Sequence, residues 1–174
     1  MKINYLYLLF AITFLQCSTA PKVAGQFTEV EFNTMADKMA KGSVTDITVE
    51  TLKSHSSDYV ILDTREKAEY DVSHIEGAIW VGYDDFNLKR LAEEQISKEA
   101  KVLTYCSVGY RSERIGEQLQ KAGYQKVYNL YGSIFSWINA GYPLVDGYSR
   151  PTSQVHGYNQ RWGKWVKDGN IVVY

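Results

Sequence analysis

The chain has 174 residues, 45% hydrophobic and 14% aromatic, with 19 Lys+Arg against 20 Asp+Glu, a makeup that suits one globular domain with short extensions rather than two domains or a disordered chain. A net charge of -1, with no block of like charges, argues against a nucleic-acid partner, because a phosphate backbone selects a basic face. Two cysteines and three histidines, with no C-x-x-C pair, exclude a structural zinc site and a disulfide scaffold, and no metal or other cofactor is implied.

Residues 1–20 read MKINYLYLLFAITFLQCSTA: Lys2, an apolar run from Ile3 to Leu15, then Cys17 and the small residues Ser18, Thr19 and Ala20. This is the layout of an export signal. The run is shorter than the roughly 20 apolar residues of a permanent membrane span, so a cleaved signal over 1–20 and an exported, periplasmic or cell-envelope location are expected. Cys17, directly after the run, resembles the lipobox cysteine of bacterial lipoproteins, whose lipidation would tether the domain to a membrane. Gln16 stands where that family has Gly, Ala or Ser, and the alternative is that Cys17 is removed with a cut near Ala20 or Ala24. Either route leaves Cys106 as the only thiol of the mature protein. An unpaired thiol in an oxidising compartment calls for a chemical reason or deep burial.

Residues 21–44 read as a polar leader and an edge helix with Phe32, Met35, Ala36, Met39 and Ala40 at helical spacing. From about Ile47 short apolar runs alternate with helical segments, the pattern of an α/β fold. Tyr59–Leu62, Ala78–Val81, Lys101–Tyr105 and Lys126–Leu130 are too short for helices and rich in β-branched or aromatic residues, which predicts buried parallel strands. Between them the spacing predicts helices at Thr48–Ser54, Glu66–Tyr70, Phe86–Ile96, Ser112–Ala122 and Ser133–Asn139, with Gly123 and Gly141 as stops. The segment 148–174 is aromatic and basic, and Asp168-Gly169 predicts a β-hairpin between Trp165-Val166 and Ile171–Tyr174. That hairpin is expected to cover part of the domain.

The segment Tyr105-Cys106-Ser107-Val108-Gly109-Tyr110-Arg111-Ser112 lies between a buried strand and a helix. Ligands of open α/β sheets bind at the carboxyl ends of strands, and a loop there aims its N–H groups and the positive end of the next helix at its centre. Such a setting lowers a thiol pKa from about 8.5 to roughly 3.5–7.5, so Cys106 is the candidate nucleophile. Gly109 lets the backbone curl around an anion, and Arg111 supplies a cation. Ser107, Val108, Tyr110 and Ser112 complete the candidate substrate cradle. A buried structural cysteine is the plain alternative, and it leaves the following Gly, Arg and Ser unexplained.

These residues resemble the rhodanese-like family of thiosulfate sulfurtransferases, whose single-domain bacterial members carry a C-x-x-G-x-R-S loop matched by Cys106, Gly109, Arg111 and Ser112. The resemblance runs from about Ile47 to Val145 and includes Leu62–Glu66, Glu69-Tyr70, His74–Ala78, Gly123-Tyr124, Val127–Leu130, Gly132, Trp137 and Gly141–Pro143. Glu76, Ser73 and Ser133 replace the family's Pro, Gly and Gly, and none of the three is expected to touch the sulfur loop. The resemblance implies a five-stranded parallel sheet with helices on both faces over residues 45–147. It also implies sulfane-sulfur transfer through a Cys106 persulfide, from a small anion such as thiosulfate or a persulfide donor to a thiol or cyanide acceptor. Arg111 would then position the donor, or pair with Asp63 or Glu66. Asp63 and Arg65, just past a strand end, are read as rim or loop-bracing residues, His74 as structural, and His55 and His156 as lacking partners.

Two other readings compete. The first is a Cys-dependent phosphatase or arsenate reductase, which needs five residues between Cys and Arg where Ser107–Tyr110 are four. The second is a binding module or sulfur carrier of the same fold that works only with a dedicated protein donor or acceptor.

Overall fold

A computed structural model describes residues 27–174, so the segment expected to be an export signal, with Cys17, lies outside the described residues. Among those described, no helix is long and apolar enough to cross a membrane. Helix α1 (Glu29–Met39) opens with a capping box, Thr28 accepting the Glu31 amide while Glu31 accepts that of Thr28. Strand β1 (Thr45–Ile47) leads into α2 (Val49–Ser54), capped by Thr48. Then come β2 (Tyr59–Asp63), α3 (Lys67–Val72), β3 (Ile79–Trp80), α4 (Leu88–Glu93), β4 (Lys101–Tyr105), α5 (Tyr110–Lys121), β5 (Lys126–Leu130) and α6 (Ser133–Asn139).

The five strands form one parallel sheet in the order β1-β5-β4-β2-β3. Alternation along the strands sends Ile61, Leu103 and Tyr105 to one face, against α1, α2 and α6, and Leu62, Val102 and Val127 to the other, against α4 and α5. Both faces are therefore covered, as a parallel sheet requires. Strand β4 is central, and its carboxyl end is where Cys106 begins its loop.

Four strands lie where the apolar runs put them, and α6 has the predicted bounds. Strand β1 escapes the pattern because two of its three residues are exposed at the sheet edge. Helix α4 is shorter than Phe86–Ile96, since Asn87 caps it and Gln95 takes a positive φ of 54°. Helix α5 starts at Tyr110, two residues early, because Gly109 at φ 111° serves as its cap.

An antiparallel pair joins the end of the domain, β6 (Leu144–Val145), to the start of the C-terminal extension, β7 (Pro151–Thr152). The hairpin expected at Asp168-Gly169 does not form. Instead β8 (Gln154–His156) runs through α7 (Gln160–Gly163) to β9 (Ile171–Val173), and β8 and β9 pair in parallel. The reason lies in Trp162 and Trp165, which leave the extended state to pack on the core. Trp165 meets Phe27 edge-on at 5.4 Å, and its carbonyl accepts the Asn139 Nδ2 amide of α6 at 2.8 Å. Helix α7 lies against the C-terminal strand, where a Cβ on Gly163 would come within 2.4 Å of the Tyr174 hydroxyl and 3.0 Å of the Val172 side chain.

Candidate active site

The loop after β4 is held from three sides. Helix α6 bonds its peptide carbonyls: Ile134 N–H donates to the Cys106 carbonyl at 3.2 Å and Phe135 N–H to that of Ser107 at 3.3 Å. With those carbonyls engaged, the turn closes with the Gly109 N–H facing the sulfur. Helix α5 adds the amides of its first turn, which by position have no intrahelical acceptor. Gly109 N–H donates to Cys106 Sγ at 3.2 Å, and the Ser112 hydroxyl stands 3.6 Å from the sulfur. The φ of 111° at Gly109 lies in the region where a side chain is strained, so this inward turn needs glycine.

Ser133 contributes what the sequence comparison did not anticipate. Its hydroxyl accepts the Cys106 N–H at 3.0 Å and lies 3.9 Å from Sγ. The expectation that none of the family departures touches the sulfur loop is therefore corrected. Ser133 sits at φ 54°, beside Gly132 at φ 63°, which explains why the family pattern has two glycines there. The hydroxyl's two bonds, to Cys106 and to the Leu130 carbonyl, hold a non-glycine residue in that conformation.

Arg111 is committed. Its two terminal nitrogens donate to both Glu69 oxygens at 2.6 and 2.8 Å, and Nη2 also reaches the Ser107 hydroxyl at 3.0 Å. The expected partners Asp63 and Glu66 are thus replaced by Glu69, one turn further along α3. Asp63 is occupied by Arg65, which it binds through both carboxylate oxygens, while Arg65 Nη2 also donates to the Ser73 carbonyl. Both residues are fully buried, so they brace the loop from beneath and do not stand at a rim. Tyr105 completes that layer, its hydroxyl donating to Asp63 at 2.6 Å and accepting the Ile75 amide. His74 is structural, its Nδ1–H donating to the Tyr70 carbonyl at 3.0 Å and its ring stacked on that of Tyr70 at 3.8 Å.

Electrostatics follow from this geometry. Burial pushes the Cys106 thiol up, but the Arg111 charge, the Ser112 amide and hydroxyl and the Gly109 amide outweigh it and hold the thiol below its ordinary value. Burial likewise opposes ionisation of Glu69, and the Arg111 hydrogen bonds and charge overcome it, so its carboxylate is held below the usual range. A second chain of bonds runs outward: Ser112 Oγ donates to Asn129 Oδ1 at 2.7 Å, and Asn129 Nδ2 donates to Asp46 at 2.8 Å.

Cys106 is 1% exposed and forms the floor of a cavity of about 470 Å³ whose walls include residues the sequence did not single out. From α1 and the turn after it come Lys38, Met39 and Lys41, and from the extension come Tyr158 and Trp162. The Tyr158 ring lies 5.1 Å from the Arg111 guanidinium, a cation–π distance. Tyr158 adopts φ 61°, and its N–H donates to His156 Nδ1 at 3.0 Å. His156, expected to lack a partner, is therefore placed near Arg111 and Glu69, and burial holds its imidazole below the ordinary value. The edge helix is tied to the site through Glu113 of α5, whose carboxylate accepts the Lys41 and Ser43 amides at 2.7 to 2.9 Å.

A cysteine on an amide-lined loop at the carboxyl end of a central parallel strand defines a class of thiol-dependent proteins. A model of the rhodanese-like domain matches residues 48–140, more than half of the chain, and the chain belongs to that family. Among its relatives, a thiosulfate sulfurtransferase GlpE of Coxiella burnetii is 33% identical over 91 residues, which is 51% of this chain and 79% of that protein. A tRNA uridine(34) hydroxylase of Onion yellows phytoplasma is 35% identical over 83 residues, 46% of this chain but only 27% of that protein. A crystal structure of thiosulfate sulfurtransferase from Pseudomonas aeruginosa matches with a TM-score of 0.56 at 26% identity, over 70% of this chain and 24% of that one.

Proposed function

We propose that the chain is a sulfurtransferase that carries sulfane sulfur as a Cys106 persulfide. The observation that supports this most is the sulfur itself, buried at the cavity floor with an amide hydrogen bond from Gly109 and its cation, Arg111, bound to Glu69. Such a site favours the thiolate with no general base. The thiolate attacks the outer sulfur of a donor such as thiosulfate. The donor's S–S bond breaks, sulfite leaves with the bonding pair, and the terminal persulfide sulfur takes its negative charge into the ring of loop amides. A thiolate or cyanide acceptor then attacks that terminal sulfur and returns the pair to Cys106.

Arg111 acts on this reading by lowering the thiol pKa and bracing the loop, not by gripping the donor. The same pairing weighs against phosphate or arsenate chemistry, because the guanidinium that would clamp the oxyanion is already bidentate on a carboxylate. The proposal extends to location: the apolar run Ile3–Leu15 supports export to the cell envelope, which fractionation of the expressed full chain tests. The activity is tested by formation of thiocyanate from thiosulfate and cyanide, with p-nitrophenyl phosphate run in parallel. Thiocyanate formation that vanishes in Cys106→Ser is expected. Aryl phosphate hydrolysis with no thiocyanate would overturn the reading.

A further inference from the structure

A second hollow lies between α1 and the segment from α7 to Trp165. This groove, about 370 Å³, is lined by the apolar Met35, Trp162 and Trp165, and Val30 stands 74% exposed at its side. Three exposed cations, Lys38, Arg161 and Lys164, surround it. Two of them are held beside the indole rings: the Arg161 guanidinium lies 5.7 Å from the Trp162 ring and the Lys164 ammonium 5.1 Å from that of Trp165. Among the described residues none of the three is in an ion pair with a carboxylate. The carboxylate on the groove, Glu31, is turned to the Thr28 cap of α1. In a chain whose net charge is -1, cations gathered around half-buried tryptophans are a local feature and not a reflection of composition.

Tryptophan flanked by Lys and Arg suits the headgroup layer of an anionic bilayer, where the indole takes the boundary between hydrocarbon and water and the cations meet lipid phosphates. The course of the chain favours a bilayer over a protein partner. Phe27, where the described residues begin, meets Trp165 at 5.4 Å, so the chain enters the domain at the groove. The apolar run Ile3–Leu15 precedes it, and the connection 16–26 reaches roughly 40 Å at most when extended. We infer that this face docks on an anionic phospholipid surface, with Trp162 and Trp165 at the headgroup boundary and Lys38, Arg161 and Lys164 on lipid phosphates. The groove shares Lys38, Met39 and Trp162 with the Cys106 cavity, so docking sets the mouth of that cavity beside the bilayer.

The test uses the full chain incorporated into vesicles of brominated phosphatidylcholine, alone or with an equal part of phosphatidylglycerol, and reads quenching of tryptophan fluorescence. All four tryptophans, Trp80, Trp137, Trp162 and Trp165, lie outside residues 1–26, so insertion of the apolar run brings no reporter into the lipid. Strong quenching is expected in the anionic vesicles and little in the neutral ones. It should fall as ionic strength rises from about 0.1 to 1 M, which shortens the screening length from about 10 to 3 Å, and vanish in Trp162→Phe with Trp165→Phe. Arg161→Gln with Lys164→Gln should lower the ratio of docked to undocked chain about twentyfold, since each cation near an anionic surface counts about fivefold, with urea unfolding confirming an intact fold. Equal quenching in both kinds of vesicle, or quenching that the charge variant leaves unchanged, would overturn the inference. Quenching in neither would also overturn it, and cross-links between copies through α7 would then assign the face to a second copy of the chain. None of these outcomes bears on the persulfide reading.

Discussion

The floor and the walls of the cavity are built on different principles. The floor is the buried turn Cys106–Gly109 and the start of α5, held by backbone amides, α6 and two ion pairs, and drawn wholly from the segment shared with the rhodanese-like family. The walls are mixed: Glu66, Tyr83 and Asp84 lie within residues 48–140, whereas α1, the turn at Lys41 and the extension at Tyr158 and Trp162 lie outside and are held by aromatic packing and hydrogen bonds to α5 and α6. The difference separates the residues that hold the sulfur from those that shape the approach to it. Substitutions should therefore separate sulfur uptake from sulfur delivery.

The largest effect is expected at the floor. Cys106→Ser should abolish sulfur uptake completely, read as thiocyanate formation. Next, Asp63→Ala would leave the fully buried Arg65 without its carboxylate and should cost about 3–5 kcal/mol of stability, measured by urea unfolding. Smaller again is Asn129→Leu, which removes the acceptor of the Ser112 hydroxyl and the donor to Asp46. It should cost about 1–3 kcal/mol. At the wall, Tyr158→Gly should change stability by less than about 1 kcal/mol, because relief of the left-handed backbone offsets the lost ring contact.

The thiol also makes stability depend on pH. Against burial, Arg111 and the loop amides lower its native pKa, so between that value and the unfolded one, about 8.5, the native state binds fewer protons. The stabilisation is fully present above the unfolded value and is lost as pH falls through the native value. The gap in unfolding free energy between the wild type and Cys106→Ser should therefore widen as pH rises through that window. A gap that narrows instead would mean the thiol is raised.

Much of the floor was legible in the sequence, since a Cys, a Gly and an Arg-Ser pair between an apolar run and an amphipathic helix carry their chemistry in their order. The strands at Tyr59, Lys101 and Lys126 were legible for the same reason, as short β-branched runs. Strand β1 was not, because an edge strand with two exposed residues has no apolar signature. Pairings across the fold were also hidden. Glu69 meets Arg111 from 42 positions away, and nothing local distinguishes it from Glu66. Ser133 looked like a passive replacement of glycine until α6 brought its hydroxyl to the sulfur loop. The walls were hidden most completely, since Asp168-Gly169 carries a hairpin signal and only the packing of Trp162 and Trp165 on the core decides against it.

The most direct test is the intact mass of the fragment from Pro21 to Tyr174 before and after thiosulfate, with Cys106→Ser alongside. A gain of one sulfur atom, removed by cyanide and absent from the variant, is the predicted result. A wild-type mass unchanged by thiosulfate, or a sulfur retained in Cys106→Ser, would contradict the account.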